Sequence, residues 1–216
     1  RLRDARAHAR AHARSRAVSR RSKHDQQQIH DALERHPQCS AVRGAEGKVA
    51  MPEKTLIEAI RDSLRMEMEA DERIFIIGED VGARGGVFRA TDGLHAQFGD
   101  LRVIDAPLAE SAIIGTAIGA AVNGMLPVAE IQFSGFIYQA FHHIEQHAAR
   151  MRWRSRGRFS VPMVIRAPFA AGVRALEHHS ESREAYFAHT PGLKMVIPSG
   201  PRNARALLLS AIRDPD

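Results

Sequence analysis

Glu110 and Glu130 bracket an almost wholly apolar, glycine-punctuated stretch, DAPLAESAIIGTAIGAAVNGMLPVAEIQ, over residues 105–132. A carboxylate at the edge of such a stretch is expensive to bury, because a charge removed from water must be paired, hydrogen-bonded or neutralised. That demand makes Glu110 a candidate for proton chemistry. The competing reading is a first-turn helix carboxylate that follows Pro107 and is favoured by the helix dipole. Glu79-Asp80 forms a further acidic pair behind a short apolar run, and His178-His179 carries imidazoles suited to proton transfer near neutral pH. The bland alternatives are a loop carboxylate with a structural hydrogen bond and a surface histidine pair. Metal ligation by the histidines is a weak reading, since adjacent His residues rarely share one ion and no cysteine lies nearby. Gly85-Gly86 allows a tight turn or a close approach to a ligand. It is not a phosphate loop, because neither GxGxxG nor GxxxxGK[ST] occurs.

The elements that must position these residues alternate in type. Leu56, Ile57, Ile60 and Leu64 recur at helical spacing, with Thr55 and Glu58 forming a capping box. Residues 73–77 read as a short buried strand that ends at Gly78-Glu79-Asp80. Further strands are expected at 102–105, 127–131, 161–166 and 193–197. Helical patterns fall between them at 108–123, 135–150, 181–189 and 201–213. Short apolar strands alternating with helices predict an α/β fold, a mostly parallel sheet covered by helices on both faces. Ligands in such folds bind beyond the carboxyl ends of the strands. Glu79, Glu110, Glu130 and the loop before His179 all fall at or near such ends.

Charge divides the chain. Residues 1–50 hold twelve Lys/Arg against five Asp/Glu, leaving nineteen against twenty in residues 51–216, so the high pI belongs to the leader. The leader is low in complexity and poor in large apolar groups, and such a segment is expected to be disordered. It reads as the product of an upstream start site with Met51 as the true initiator, as an Arg-rich transit peptide, or as a basic arm. The third reading suffers from the absence of any aromatic residue there to stack on a base, so no nucleic acid is expected as partner. The single cysteine, Cys39, excludes an internal disulfide framework and favours a reducing compartment, the cytoplasm, or the mitochondrial matrix if the leader is a transit peptide. No apolar run approaches the roughly 18 residues of a spanning helix, and no membrane role is expected. The final helical pattern closes at Asp216 with no following strand, which reads as a fragment with an edge or a further domain missing.

The dense stretch from Gly78 to Phe136 resembles the β subunit of thiamine-diphosphate-dependent 2-oxoacid dehydrogenases, as do HAARMRWRSRG, VPMVIRAP, HHSESREAYFAHTPGLKMVIPS and AIRDPD. The resemblance covers residues 54–216 and implies a transketolase-type pyrimidine-binding domain over 51–216, lacking the carboxy-terminal domain of the family. HHSES and EIQF lean towards the branched-chain enzymes rather than the pyruvate enzymes. An active site formed between subunits is implied: an α subunit holds the cofactor diphosphate through magnesium, and the β subunit holds the aminopyrimidine, in an α2β2 heterotetramer that passes acyl groups to a lipoyl acyltransferase. Consistently, no Gly-Asp-Gly motif occurs here, since Gly99-Asp100 is followed by Leu101. Non-catalytic readings, a truncated remnant or an assembly subunit, stay open, as does a pyruvate or acetoin enzyme.

Residue by residue, the resemblance implies that Glu110 bonds a ring nitrogen of the aminopyrimidine and shuttles a proton there. The physical demand is a carboxyl beside apolar surroundings that donates and accepts near neutrality. Phe136 matches the aromatic position packed on the pyrimidine, with core packing as the alternative. Ile113 and Gln132 match positions lining that pocket, and Glu79, with Asp80 and Glu130, matches acidic positions near it. His179 matches a histidine at the mouth of the site that steadies the substrate carboxylate or the lipoyl group. Met163, Ala211, Ile212, Asp214 and Asp216 match a potassium site built mainly from backbone oxygens. One departure stands out: where relatives carry a run of glycines, this chain has AlaProPheAlaAlaGlyVal over 167–173. A residue with a side chain there is expected to meet backbone that favours positive φ, which bears on the placement of His179.

Overall fold

The computed structural model describes residues 53–170, 175 and 177–216. The leader readings, Cys39, and part of the glycine-poor loop (171–173) lie outside the described residues. The capping box forms as its sequence dictates. Thr55 Oγ1 accepts the Glu58 N–H at 3.2 Å, and the Glu58 carboxylate accepts the Thr55 N–H at 2.7 Å, opening α1 (Leu56–Ala70).

Four strands follow, β1 (Ile74–Gly78), β2 (Val103–Asp105), β3 (Leu126–Glu130) and β4 (Val164–Arg166). They pair in the order β2-β1-β3-β4, every pair parallel. Between them lie α2 (Leu94–Phe98), α3 (Glu110–Val122), a 3₁₀ helix (Ser134–Ala140), a π-helical segment (His143–Ala148) and α4 (Met151–Arg154). A 3₁₀ turn (Glu177–Ser180), α5 (Glu184–Ala188) and α6 (Pro201–Ile212) complete the described order.

The period-two alternation of the strands divides the core. Phe75, Ile77 and Ala129 face α3 and pack with Ile113, Ile114, Ala117 and Ile118. Ile74, Ile76, Val103 and Val128 face the other way, onto Leu64 and Met68 of α1 and Ile212 of α6. Both faces are therefore covered, which explains why the strands read as continuous apolar runs rather than alternating ones. Buried Glu67 of α1 accepts two bonds from Arg213, at 3.0 Å and 2.6 Å, fastening α6 to α1.

Two elements differ from their sequence signals. Residues 193–197, expected as a fifth strand, form no strand, and Met195, Val196 and Ile197 stay exposed. An apolar run signals burial but supplies no ladder partner, and Pro198 immediately interrupts it. The single helix expected over 135–150 is instead a 3₁₀ helix followed by a π turn, with Ala149 N–H bonding back to the Ile144 carbonyl. The tighter winding suits a contact that admits no side chain: a Cβ on Gly135 would collide with the His178 carbonyl. The helix expected over 181–189 likewise shortens to α5, beginning at Glu184.

Candidate active site

The carboxyl ends of all four strands are held in register, Gly78 beside Asp105 and Glu130, and Glu130 beside Arg166. Beyond β1 the chain turns through Glu79 and Asp80, and beyond β2 it enters α3, whose first residue is Glu110. Three carboxylates are thereby buried at one end of the sheet: Glu79 is 7% exposed, Glu110 4% and Glu130 3%. Glu130 is paired with the Arg166 guanidinium. Glu79 and Glu110 are not satisfied in this way. Oε1 of Glu79 and Oε2 of Glu110 are buried with no hydrogen-bond partner. Among the described residues four buried side-chain polar atoms lack partners, and Arg166 Nε is a third at this end of the sheet. Native structures rarely tolerate such atoms unless something else satisfies them.

Electrostatics follows from that crowding. Burial first, then the neighbouring Glu110 and Asp80 charges, push the Glu79 carboxyl above its usual range, while a hydrogen bond from the Ala109 backbone pulls it back. Asp80 accepts from Gln132 Nε2 at 3.2 Å and lies 3.5 Å from Arg84. Asp105 Oδ1 accepts the Gly82 N–H at 2.7 Å, tying the loop beyond β1 to the end of β2.

An aromatic group closes one side. Phe133 packs edge-on against Phe88 at 5.8 Å, Phe136 at 5.6 Å and His179 at 4.7 Å. His179 lies 5.2 Å from Phe136, and exposed His178 lies 5.0 Å from Phe136. The structure thus brings Phe136 and His179 together. Ile113 is in the core and also lines a cavity of about 260 Å³ with Ile77, Ile104, Pro107 and Ala109 at the start of α3. In the loop before His179, Ala170 takes φ +71°, a conformation that favours glycine, so the expected strain is present at that residue.

The residues expected to hold potassium lie elsewhere. Ile212 and Asp214 line a cavity of about 540 Å³ with Ile74, Leu126 and Arg158, towards the amino ends of the strands. Asp214 accepts two bonds from Lys194 Nζ, at 2.8 Å and 2.7 Å, and Asp216 pairs with Arg152 at 3.0 Å. The Ala211 carbonyl accepts the Asp214 N–H at 3.3 Å. Among the described residues no group of three or more His, Cys, Asp or Glu is placed to hold a metal. No helix there is long and apolar enough to cross a membrane.

Sequence reasoning passed over Arg166, Asp105, Phe88 and Phe133. Arg166 closes an ordinary apolar strand, and only the register of β3 and β4 reveals that it meets Glu130. Phe133, next to Gln132 in the EIQF motif, had its signal in plain view.

A sequence profile described as "Transketolase, pyrimidine binding domain" matches residues 53–216. The chain is 57% identical over 162 residues to the pyruvate dehydrogenase E1 component subunit beta of Acholeplasma laidlawii, covering 75% of this chain and 50% of that protein. It is 54% identical over 160 residues to the 2-oxoisovalerate dehydrogenase subunit beta of Bacillus subtilis, covering 74% and 49%. Identity to the pyruvate dehydrogenase E1 component subunit beta of Bacillus subtilis is 52% over 166 residues, covering 77% and 51%. The chain spans about half the length of the curated relatives it matches. A solved structure described as "Split gene transketolase, inactive beta4 tetramer" superposes with a TM-score of 0.58 at 19% identity, covering 76% of this chain and 49% of that one. That likeness shows the fold.

Proposed function

The chain belongs to the transketolase pyrimidine-binding domain family, and we propose that it is the aminopyrimidine-binding part of the β subunit of a thiamine-diphosphate-dependent 2-oxoacid dehydrogenase. The observation that carries this reading is the buried Glu110 carboxyl, one oxygen of which has no partner among the described residues. A buried acceptor left bare costs about 1–3 kcal/mol, so a ligand donor is the natural complement. A protonatable ring nitrogen fits that requirement.

Bound thiamine diphosphate would supply a nucleophilic carbon for the 2-oxoacid carbonyl and a ring that takes up the electron pair left behind when carbon dioxide departs. In this chain Glu110 binds the ring nitrogen and moves a proton there, at the positive end of α3. Glu79, raised by burial and by Glu110, stands beside it as a second carboxyl that takes up a proton readily. Phe136 provides the aromatic surface for the pyrimidine, with Gln132 and Ile113 lining the pocket. His179, steadied by Phe133, serves the substrate carboxylate or the lipoyl group at the mouth. The diphosphate and its magnesium fall to an α subunit, and the acyl group passes to a lipoyl acyltransferase. An α2β2 assembly in the cytoplasm accommodates these parts. A domain that follows residue 216 in the natural protein is in keeping with the length of the relatives.

Two substrates divide the support. EIQF and HHSES favour a branched-chain 2-oxoacid, and the 57% identity to a pyruvate dehydrogenase β subunit favours pyruvate as strongly. Reconstituting the natural protein that carries this chain with an α subunit, and following decarboxylation with an artificial electron acceptor, tests both. Turnover that requires thiamine diphosphate is expected with pyruvate or 3-methyl-2-oxobutanoate. No turnover of any 2-oxoacid overturns the reading.

A further inference from the structure

Arg166 is only 15% exposed at its side chain and pairs with Glu130, which is 3% exposed. On the other side of the Glu130 carboxylate lies the loop that follows β1. Oε1 of Glu130 would stand only 3.2 Å from a Cβ on Gly86, where φ is +78°, so the carboxylate rests against bare glycine backbone. The Gly86 N–H bonds the Asp80 carbonyl at 2.8 Å, and the Thr91 N–H bonds the Gly85 carbonyl at 3.1 Å. Thr91 Oγ1 closes the loop on the Val81 carbonyl at 2.8 Å. This same loop begins with Glu79 and Asp80 and carries Phe88 to its contact with Phe133.

As a device for stability alone, the pair is poorly built. Its guanidinium leaves Nε buried without an acceptor among the described residues, and buried ion pairs are often matched or bettered by apolar replacements. Its placement has another consequence. Across the register of β3 and β4, Arg166 fixes the Glu130 carboxylate at the spot on which the Gly85-Gly86 turn sits. The charged groups on and around that loop include Glu79, Asp80, Arg84, Arg89, Asp105, Glu110, Glu130 and Arg166. Of the three arginines at hand, Arg84 is exposed and lies 3.5 Å from Asp80, and Arg89 is exposed and donates to the Arg84 carbonyl at 2.6 Å, so Arg166 is the least exposed cation of the group.

We propose that Arg166 is a positioning residue: through Glu130 it holds the 79–91 loop, and with it Glu79 and Phe88, in the geometry that receives the aminopyrimidine. The effect on cofactor binding rests on the function proposed above. The effect on the loop does not. In the natural protein, hydrogen exchange over 79–91 and calorimetric titration with thiamine diphosphate in the reconstituted complex are compared for wild type, Arg166→Met, Arg166→Lys and the double variant Arg166→Met/Glu130→Leu. The double variant removes the buried charge that Arg166→Met leaves unpaired, so it folds even where the single variant does not. Exchange in the loop is expected to rise about tenfold or more in Arg166→Met and in the double variant, which recovers thermal stability. Thiamine diphosphate affinity should fall in both and return in part with Arg166→Lys. Loop protection and affinity that recover together with stability in the double variant make the pair structural only and overturn the proposal. A loosened loop in an enzyme that turns over no 2-oxoacid upholds the positioning role and defeats the proposed function instead.

Discussion

Glu79 and Glu110 share one corner beyond β1, and burial together with the Glu110 charge raises the Glu79 carboxyl. A carboxyl raised in the folded state binds its proton more tightly there than in the unfolded chain. Its contribution to stability therefore declines as pH rises from the unfolded value through the folded one. Glu79→Gln is expected to melt higher than wild type at about pH 8 and to converge with it at about pH 4, as thermal melts across that range will show. A difference that is constant with pH contradicts this. Glu110 draws notice in the sequence because a carboxylate opening an apolar, glycine-rich run has no cheap place to go, but its proposed role comes from the family resemblance. Arg166 is not legible, because its partner lies 36 positions away and meets it only through strand register. Phe133 falls between these cases: its motif is visible, but its contact with His179 depends on a loop that returns from beyond β4.

At the scale of elements, the capping box and the apolar runs prescribe α1 and the four strands closely. The capping signal is local and the runs are short, so neither needs distant information. The stretch after β3 defeats periodicity, because apolar spacing cannot distinguish a 3₁₀ helix and a π turn from one continuous helix. Gly135, pressed against the His178 carbonyl, belongs to a long-range contact that local spacing does not encode. Residues 193–197 show the same limit for strands, since side-chain pattern says nothing about an available edge. The junction of α1 and α6 depends on Glu67 and Arg213, whose side chains are 6% and 39% exposed. Arg213→Met leaves the buried Glu67 without this partner and is expected to lower unfolding free energy by about 2–3 kcal/mol, less than a fully buried pair because Arg213 reaches solvent. Adding Glu67→Leu should restore most of that in urea titrations. A double variant no better than the single one would count against the pair as the source of the loss.

For the whole molecule, one end of the parallel sheet gathers a bare buried carboxyl, a raised neighbour and an aromatic wall, and Leu101, Leu108 and Trp153 stay exposed on the surface. On the proposed function this chain holds the proton-handling and pyrimidine-facing groups, and the diphosphate and magnesium fall to an α subunit. The central claim is the role of Glu110, and its direct measurement is steady-state decarboxylation by the reconstituted α and β complex with Glu110→Gln beside wild type. Removing a proton-transfer group of this kind should lower turnover by about 100-fold or more while the complex still assembles. Equal rates in the two complexes would contradict the account.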